Sequence, residues 1–143
     1  MDKIDQMIAT INTIKSVDDE ENLRRLDQAL QDLFKSPQPE RGIDALFGIY
    51  ERFPETDGYG IFWSILHGLE RLPNYEPRLI LSVRRQLMEF NLMMVNRLLN
   101  AGTTQIEGIN LVALLEAIAV NPQYPEQTRS HAHRLVERQK KRS

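Results

Sequence analysis

The sequence predicts an all-α protein: an irregular α-α superhelix of about four helix pairs, loosely HEAT-like, with a compact helical bundle as the alternative. Three observations predict it. Apolar residues recur at intervals of three and four along almost the whole chain. Proline- and glycine-bearing breaks punctuate that pattern. No segment alternates polar with apolar residues, and β-branched residues do not cluster, so no strand is expected.

Taken in order, Ile4, Met7, Ile8, Ile11 and Ile14 mark a first helix. The run from Ser16 through Asp18, Asp19, Glu20 and Glu21 supplies the next helix start, because acids near an N-terminus serve the cap and the dipole. Leu23, Leu26, Leu30, Leu33 and Phe34 form the apolar stripe of this second helix, which ends at Ser36-Pro37. Ile43, Leu46, Phe47 and Tyr50 mark a third helix, stopped at Phe53-Pro54. Asp57-Gly58 turns the chain into a fourth, strongly apolar helix from Tyr59 to Leu69. Pro77 suits the first position of a fifth, carried by Leu79, Ile80 and Val83. A sixth runs from Phe90 to Leu99 and closes at Gly102 in a left-handed cap. The seventh spans Leu111 to Val120, and the eighth Pro125 to Gln139.

The odd-numbered helices begin at intervals of about 33 to 38 residues, within the range of helical-pair repeats. The breaks at Pro73–Pro77 and Pro122–Pro125 each place a tyrosine near a proline, but the repeats otherwise share little sequence. Degenerate repeats of this kind favour an irregular superhelix over a recent duplication.

With 143 residues the chain is long enough for one domain, 1–143, in which the basic end 140–143 is expected to fray. Apolar residues at 41% and charged residues at 27% match a folded globular composition, which argues against disorder. No stretch approaches the roughly 20 apolar residues of a membrane span. The first ten residues lack the basic start and apolar run of a secretory signal, so a cytosolic location is expected. Without cysteine there are no disulfides, thiolate metal sites or cysteine nucleophiles.

Charge is unevenly spread. Residues 1–70 carry 14 acidic and 7 basic side chains, whereas residues 71–143 carry 6 acidic and 11 basic. This asymmetry either steers a charged partner or reflects ordinary variation between two ends of the chain.

Residue patterns for catalysis are missing. His131 and His133 lie two apart on a helix and diverge, which makes a poor metal site; no metal or other cofactor is expected. None of the seven glycines falls in a phosphate-binding loop or dinucleotide fingerprint. Gly48 and Gly68 fall inside helices, where close helix packing is the expected reason. The acids at 18–21 lack the spaced ligands and turn glycine of a calcium loop. The arginines of the second half are not interleaved with aromatics, which gather between Phe47 and Trp63, so nucleic acid is not an expected partner. An enzyme is therefore not expected.

The fourth helix is the most informative segment. Ile61, Phe62, Ile65, Leu66 and Leu69 make one apolar face. Tyr59, Trp63 and His67, spaced by four, make a second stripe with Glu70 beside it. A central helix packed on both sides would bury Trp63 and leave Tyr59 and His67 more open.

The segments Asp57-Gly-Tyr-Gly-Ile-Phe-Trp-Ser-Ile-Leu-His-Gly-Leu-Glu70, Tyr75-Glu76-Pro77, Ser82-Val-Arg-Arg85 and Met94-Val-Asn-Arg-Leu-Leu-Asn-Ala-Gly102 resemble a family of small helical immunity proteins. These accompany bacterial polymorphic toxins, including contact-dependent growth inhibition and Rhs-type systems. The resemblance spans about residues 40 to 140. It implies a stoichiometric inhibitor that binds the C-terminal toxin domain of its own system inside the producing cell. Such toxins are often nucleases with basic clefts, which an acidic surface would suit. It carries over no contact residues. The candidate partner-binding set is read from charge and aromatic exposure: Asp18, Asp19, Glu20, Glu21, Glu51, Glu55, Asp57, Tyr59, His67 and Glu70. A helical-repeat adaptor for some other protein is the alternative. A monomer or weak dimer is expected; Leu87-Met88 and Leu92-Met93-Met94 would support a dimer if exposed, though core packing explains them as well. No membrane partner is expected.

Overall fold

Capping fixes where the first helices start. In the computed structural model, which describes residues 2–56 and 58–142, the Asp2 carboxylate precedes α1 (Lys3–Thr13) and accepts the Asp5 backbone N–H at 2.8 Å. Asp19 precedes α2 (Glu20–Lys35) and accepts the Asn22 N–H at 3.0 Å, with the Asn22 side-chain amide also donating to it. Each bond satisfies a donor that the first turn leaves open and sets an anion at the positive end of the helix. Those N–H groups hold both carboxyls below the ordinary aspartate range.

Among the described residues six further α-helices follow: α3 (Ile43–Arg52), α4 (Ile61–Glu70), α5 (Glu76–Arg85), α6 (Glu89–Asn100), α7 (Leu111–Val120) and α8 (Glu126–Arg142). The protein is all-α, as the spacing predicts. Two details differ. The described residues include a small antiparallel hairpin, β1 (Gln105–Ile106) paired with β2 (Ile109–Asn110). Its two-residue turn, Glu107-Gly108, has positive φ at both positions (49° and 79°), the mirror-image turn that matches strand twist. Two residues per strand are too few to show alternation. At the basic end, residues 140–142 belong to a helix. Helix α8 continues to Arg142, with Lys140 ion-paired to Glu116 and Arg142 bonded to Asn100.

The described residues divide into two compact units, one up to Phe90 and the other from Asn91 onward. In the first, α1 packs on α2 and α3, α3 on α4 and α5, and α2 on α4. The core holds Ile11, Leu26, Leu33, Leu46, Phe47, Ile49, Phe62, Ile65, Leu66, Leu69 and Leu79, all fully buried. At its centre Tyr50 donates its hydroxyl to the Phe62 carbonyl at 2.7 Å. Its ring lies 5.1 Å from Phe62 and 5.5 Å from Phe90. In the second unit α7 packs on α8, burying Leu111, Leu115 and Ile118 and Ala132, Leu135 and Val136. Gln139 ties α8 to α6 by donating to Asn96 and Asn100 at 2.8 and 2.9 Å. Leu87, Met88, Leu92 and Met94 are buried, and Met93 is half-buried, so they present no exposed apolar strip.

The two mid-helix glycines serve different ends. A Cβ on Gly68 would overlap the Phe34 ring, so this glycine sets the approach of α2 to α4. Gly48 faces open space, and no close packing explains it. Gly48→Ala should therefore raise stability by up to about 1 kcal/mol in urea unfolding, the helix-propensity gain. Gly68→Ala should lower it by about 1–3 kcal/mol, because the overpacked ring outweighs the same gain.

The capping carboxyls have folded pKa values below the unfolded value of 3.8. Their stabilisation is present above that value and is lost as pH falls through the lower folded one. Asparagine caps comparably without titrating. Asp19→Asn should match the parent near neutral pH and lose less stability than the parent below pH ~4, as read by circular-dichroism melting.

Candidate binding groove

The chain entering α4 is held in an uncommon conformation. Gly58, Tyr59 and Gly60 are three successive residues with positive φ, at 64°, 50° and 93°. Glycine tolerates this region, but an L-residue pays roughly 1–2 kcal/mol there. Gly58 is required on a second count, since a Cβ would come within 2.7 Å of Phe62 and 2.9 Å of Ile61. Tyr59 therefore does not begin a helical stripe. It sits in a left-handed turn ahead of α4 and is 72% exposed.

Thr56 anchors this turn to the start of α2. Its hydroxyl donates to the Asp18 carboxylate at 3.1 Å and accepts the Gly58 N–H at 3.2 Å. Between the turn and the outer face of α2 lies a groove of about 730 Å³. Leu23 and Ile61 supply apolar lining, Tyr59 an aromatic one, and Asp18, Glu20, Asp27 and Arg24 the charges. Glu20 and Arg24 form an exposed ion pair at 2.9 Å. Asp27 accepts from the Gln31 amide at 2.9 Å. Three carboxylates and one guanidinium leave the groove with a net formal charge of −2.

Of the residues selected from the sequence, the fold brings Asp18, Glu20 and Tyr59 together here. Asp19 is spent on capping α2, and Glu21 is exposed in its first turn. Glu51 is not an open acid: both of its oxygens accept from Arg85, at 2.8 and 3.0 Å, which locks α3 to α5. The same bond holds the Arg85 guanidinium above its usual pKa. Glu55 is exposed outside the groove lining, and Asp57 lies outside the described residues. His67 is exposed and stacks on Trp63, their rings 6.0 Å apart. Trp63 is 43% exposed, contrary to the burial expected of it, because α4 is covered on one side only and Trp63 rests edge-on against Phe90. Glu70 is half-buried and adds to the upward shift of the Tyr50 phenol, which burial dominates.

Leu23, Arg24 and Asp27 escaped selection. The signal was present in their spacing: Glu20, Leu23, Arg24 and Asp27 repeat at three and four and so share one face of α2. Among the described residues no set of three or more histidines and acids gathers to hold a metal ion. No helix among them is long and apolar enough to cross a membrane. Set against known protein families, curated proteins and solved structures, the chain matches none of them.

Replacing Tyr59 with glycine removes the left-handed penalty and, since the ring is mostly exposed, removes little packing. Tyr59→Gly should leave stability unchanged or raise it by up to about 1 kcal/mol in thermal and urea unfolding. A loss larger than that would show the ring to be a packing element.

Proposed function

We propose that this chain is an immunity protein: a binding protein that neutralises a toxin domain of its own system in the cytosol by one-to-one occlusion, without chemistry of its own. The observation that carries the reading is Tyr59. An exposed aromatic residue is held in a costly backbone conformation on the lip of an acidic groove. Residues held in this way cluster at binding and active sites, and tyrosine is a favoured hot-spot residue in protein interfaces.

The electrostatics support the same reading. The groove is net negative and opens on the acidic part of the chain, which suits the basic cleft of a nuclease and would accelerate encounter. The groups with displaced proton affinity have structural causes: two helix caps, a buried phenol, the desolvated Arg52 and the Glu51–Arg85 pair. These groups lie outside the groove lining. The resemblance of residues 40–140 to immunity proteins gives the class of partner.

The reading requires a toxin domain encoded in a neighbouring gene, and co-expression with that domain is the test. The parent should protect cells and form a one-to-one complex. Tyr59→Ala should weaken that complex by about 2 kcal/mol. Glu20→Lys with Asp27→Lys should slow association and remove most of its salt dependence. Glu51 is unsuitable for charge reversal because the change would break the α3–α5 link. Absence of protection by the parent would defeat the immunity reading. Full protection by the combined triple variant would move the interface elsewhere.

A further inference from the structure

We infer that the groove between α2 and the Gly58-Tyr59-Gly60 turn receives an arginine-bearing segment of a protein partner. The inference rests on the reading of this groove as the binding site, and it specifies what the groove selects.

The lining asks for a ligand with two kinds of surface. Leu23 and Ile61 offer apolar contact, while Asp18, Glu20 and Asp27 offer carboxylate oxygens. Long basic side chains meet both demands, because their methylene stems lie on apolar surface while their charged heads reach polar partners. Tyr59 separates arginine from lysine. A guanidinium stacks on an aromatic ring and pairs with carboxylates in a planar fork, which an ammonium cannot do. The groove is open to solvent and, at about 730 Å³, larger than one side chain fills, so neighbouring residues of the segment are accommodated as well. A bare metal ion is a poor occupant, since Leu23, Ile61 and Tyr59 provide no oxygen cage. An acidic segment is repelled by the net charge.

One effect opposes this charge preference. The start of α2 presents the positive end of a helix dipole, equivalent to roughly half an elementary charge. Four successive carboxylates, Asp18 to Glu21, stand at that end and outweigh it.

The groove also contains its own competitor. Arg24 lines it and is ion-paired with Glu20, so an internal guanidinium already occupies part of the acidic surface. The pair is highly exposed, with side chains 73% and 88% accessible, and breaking it should disturb the fold little. Arg24→Ala frees the Glu20 carboxylate and takes the groove from −2 to −3. A cationic segment should then bind more tightly. A surface that works by shape alone would gain nothing.

The experiment titrates the full-length chain with three blocked pentapeptides, Gly-Arg-Leu-Arg-Gly and its citrulline and glutamate counterparts, followed by calorimetry and by amide shifts of Leu23, Tyr59 and Ile61. The arginine peptide should bind and shift those amides. The citrulline peptide, equal in shape but uncharged, should bind at least tenfold more weakly, and the glutamate peptide not at all. Arg24→Ala should tighten the arginine peptide several-fold, and Glu20→Gln with Asp27→Asn should weaken it at least tenfold. Equal binding of the citrulline peptide, an unchanged or weakened Arg24→Ala, or no shifts at millimolar arginine peptide would each overturn the inference. Peptide binding without toxin protection would defeat only the immunity reading; protection without peptide binding would defeat only this one.

Discussion

The hydrogen bond from the Tyr50 hydroxyl to the Phe62 carbonyl joins α3 to α4 inside an aromatic cluster that also takes in Phe90. A buried bond of this kind fixes both distance and rotation, because the donor reaches only one point on the helix it meets. Burial raises the phenol well above its usual pKa, so the donor keeps its proton throughout the physiological range. Helix α4 has no side-chain cap at its start. Its phase is set instead by this bond and by the contact of Gly68 with Phe34 on α2. Once α4 is seated, the chain before it must reverse within a few residues, and the left-handed turn is how it does so. The groove follows from a core constraint.

Much of this was legible in the sequence, and the gaps have physical causes. The helices were readable because apolar residues recur at three-four spacing, as Leu26, Leu30 and Leu33 do on α2. Their ends were readable where a proline or a cap residue is local, as at Ser36-Pro37 and Asp19. The β1–β2 hairpin was not, because the turn residue is glutamate where asparagine or aspartate would have signalled it. Tyr59 was placed on a helix because its spacing to Trp63 and His67 is helical; two flanking glycines were the contrary signal, and they decide the backbone.

The candidate site was legible by halves. Composition gave the acidic character, and Asp18, Glu20 and Tyr59 were in view. Which acids remain available is a matter of partners distant in sequence. Glu51 is consumed by Arg85, 34 residues away, and no local pattern reports that. Asp27 gains its place because α2 turns the same face toward the Gly58-Tyr59-Gly60 turn that carries Glu20 and Leu23.

Arg52 has a consequence for how the chain assembles. Helix α1 has no basic residue in its last turn, and the Arg52 guanidinium, 41 and 38 residues distant, donates to the Ile11 and Ile14 carbonyls at 3.1 and 2.9 Å. A helix of 11 residues is below the length that holds in water by itself. The contacts that close its C-terminal end come from the end of α3, so that end is satisfied only where α3 is docked. Closing α1 is therefore a long-range event, governed by loop closure rather than by local propensity.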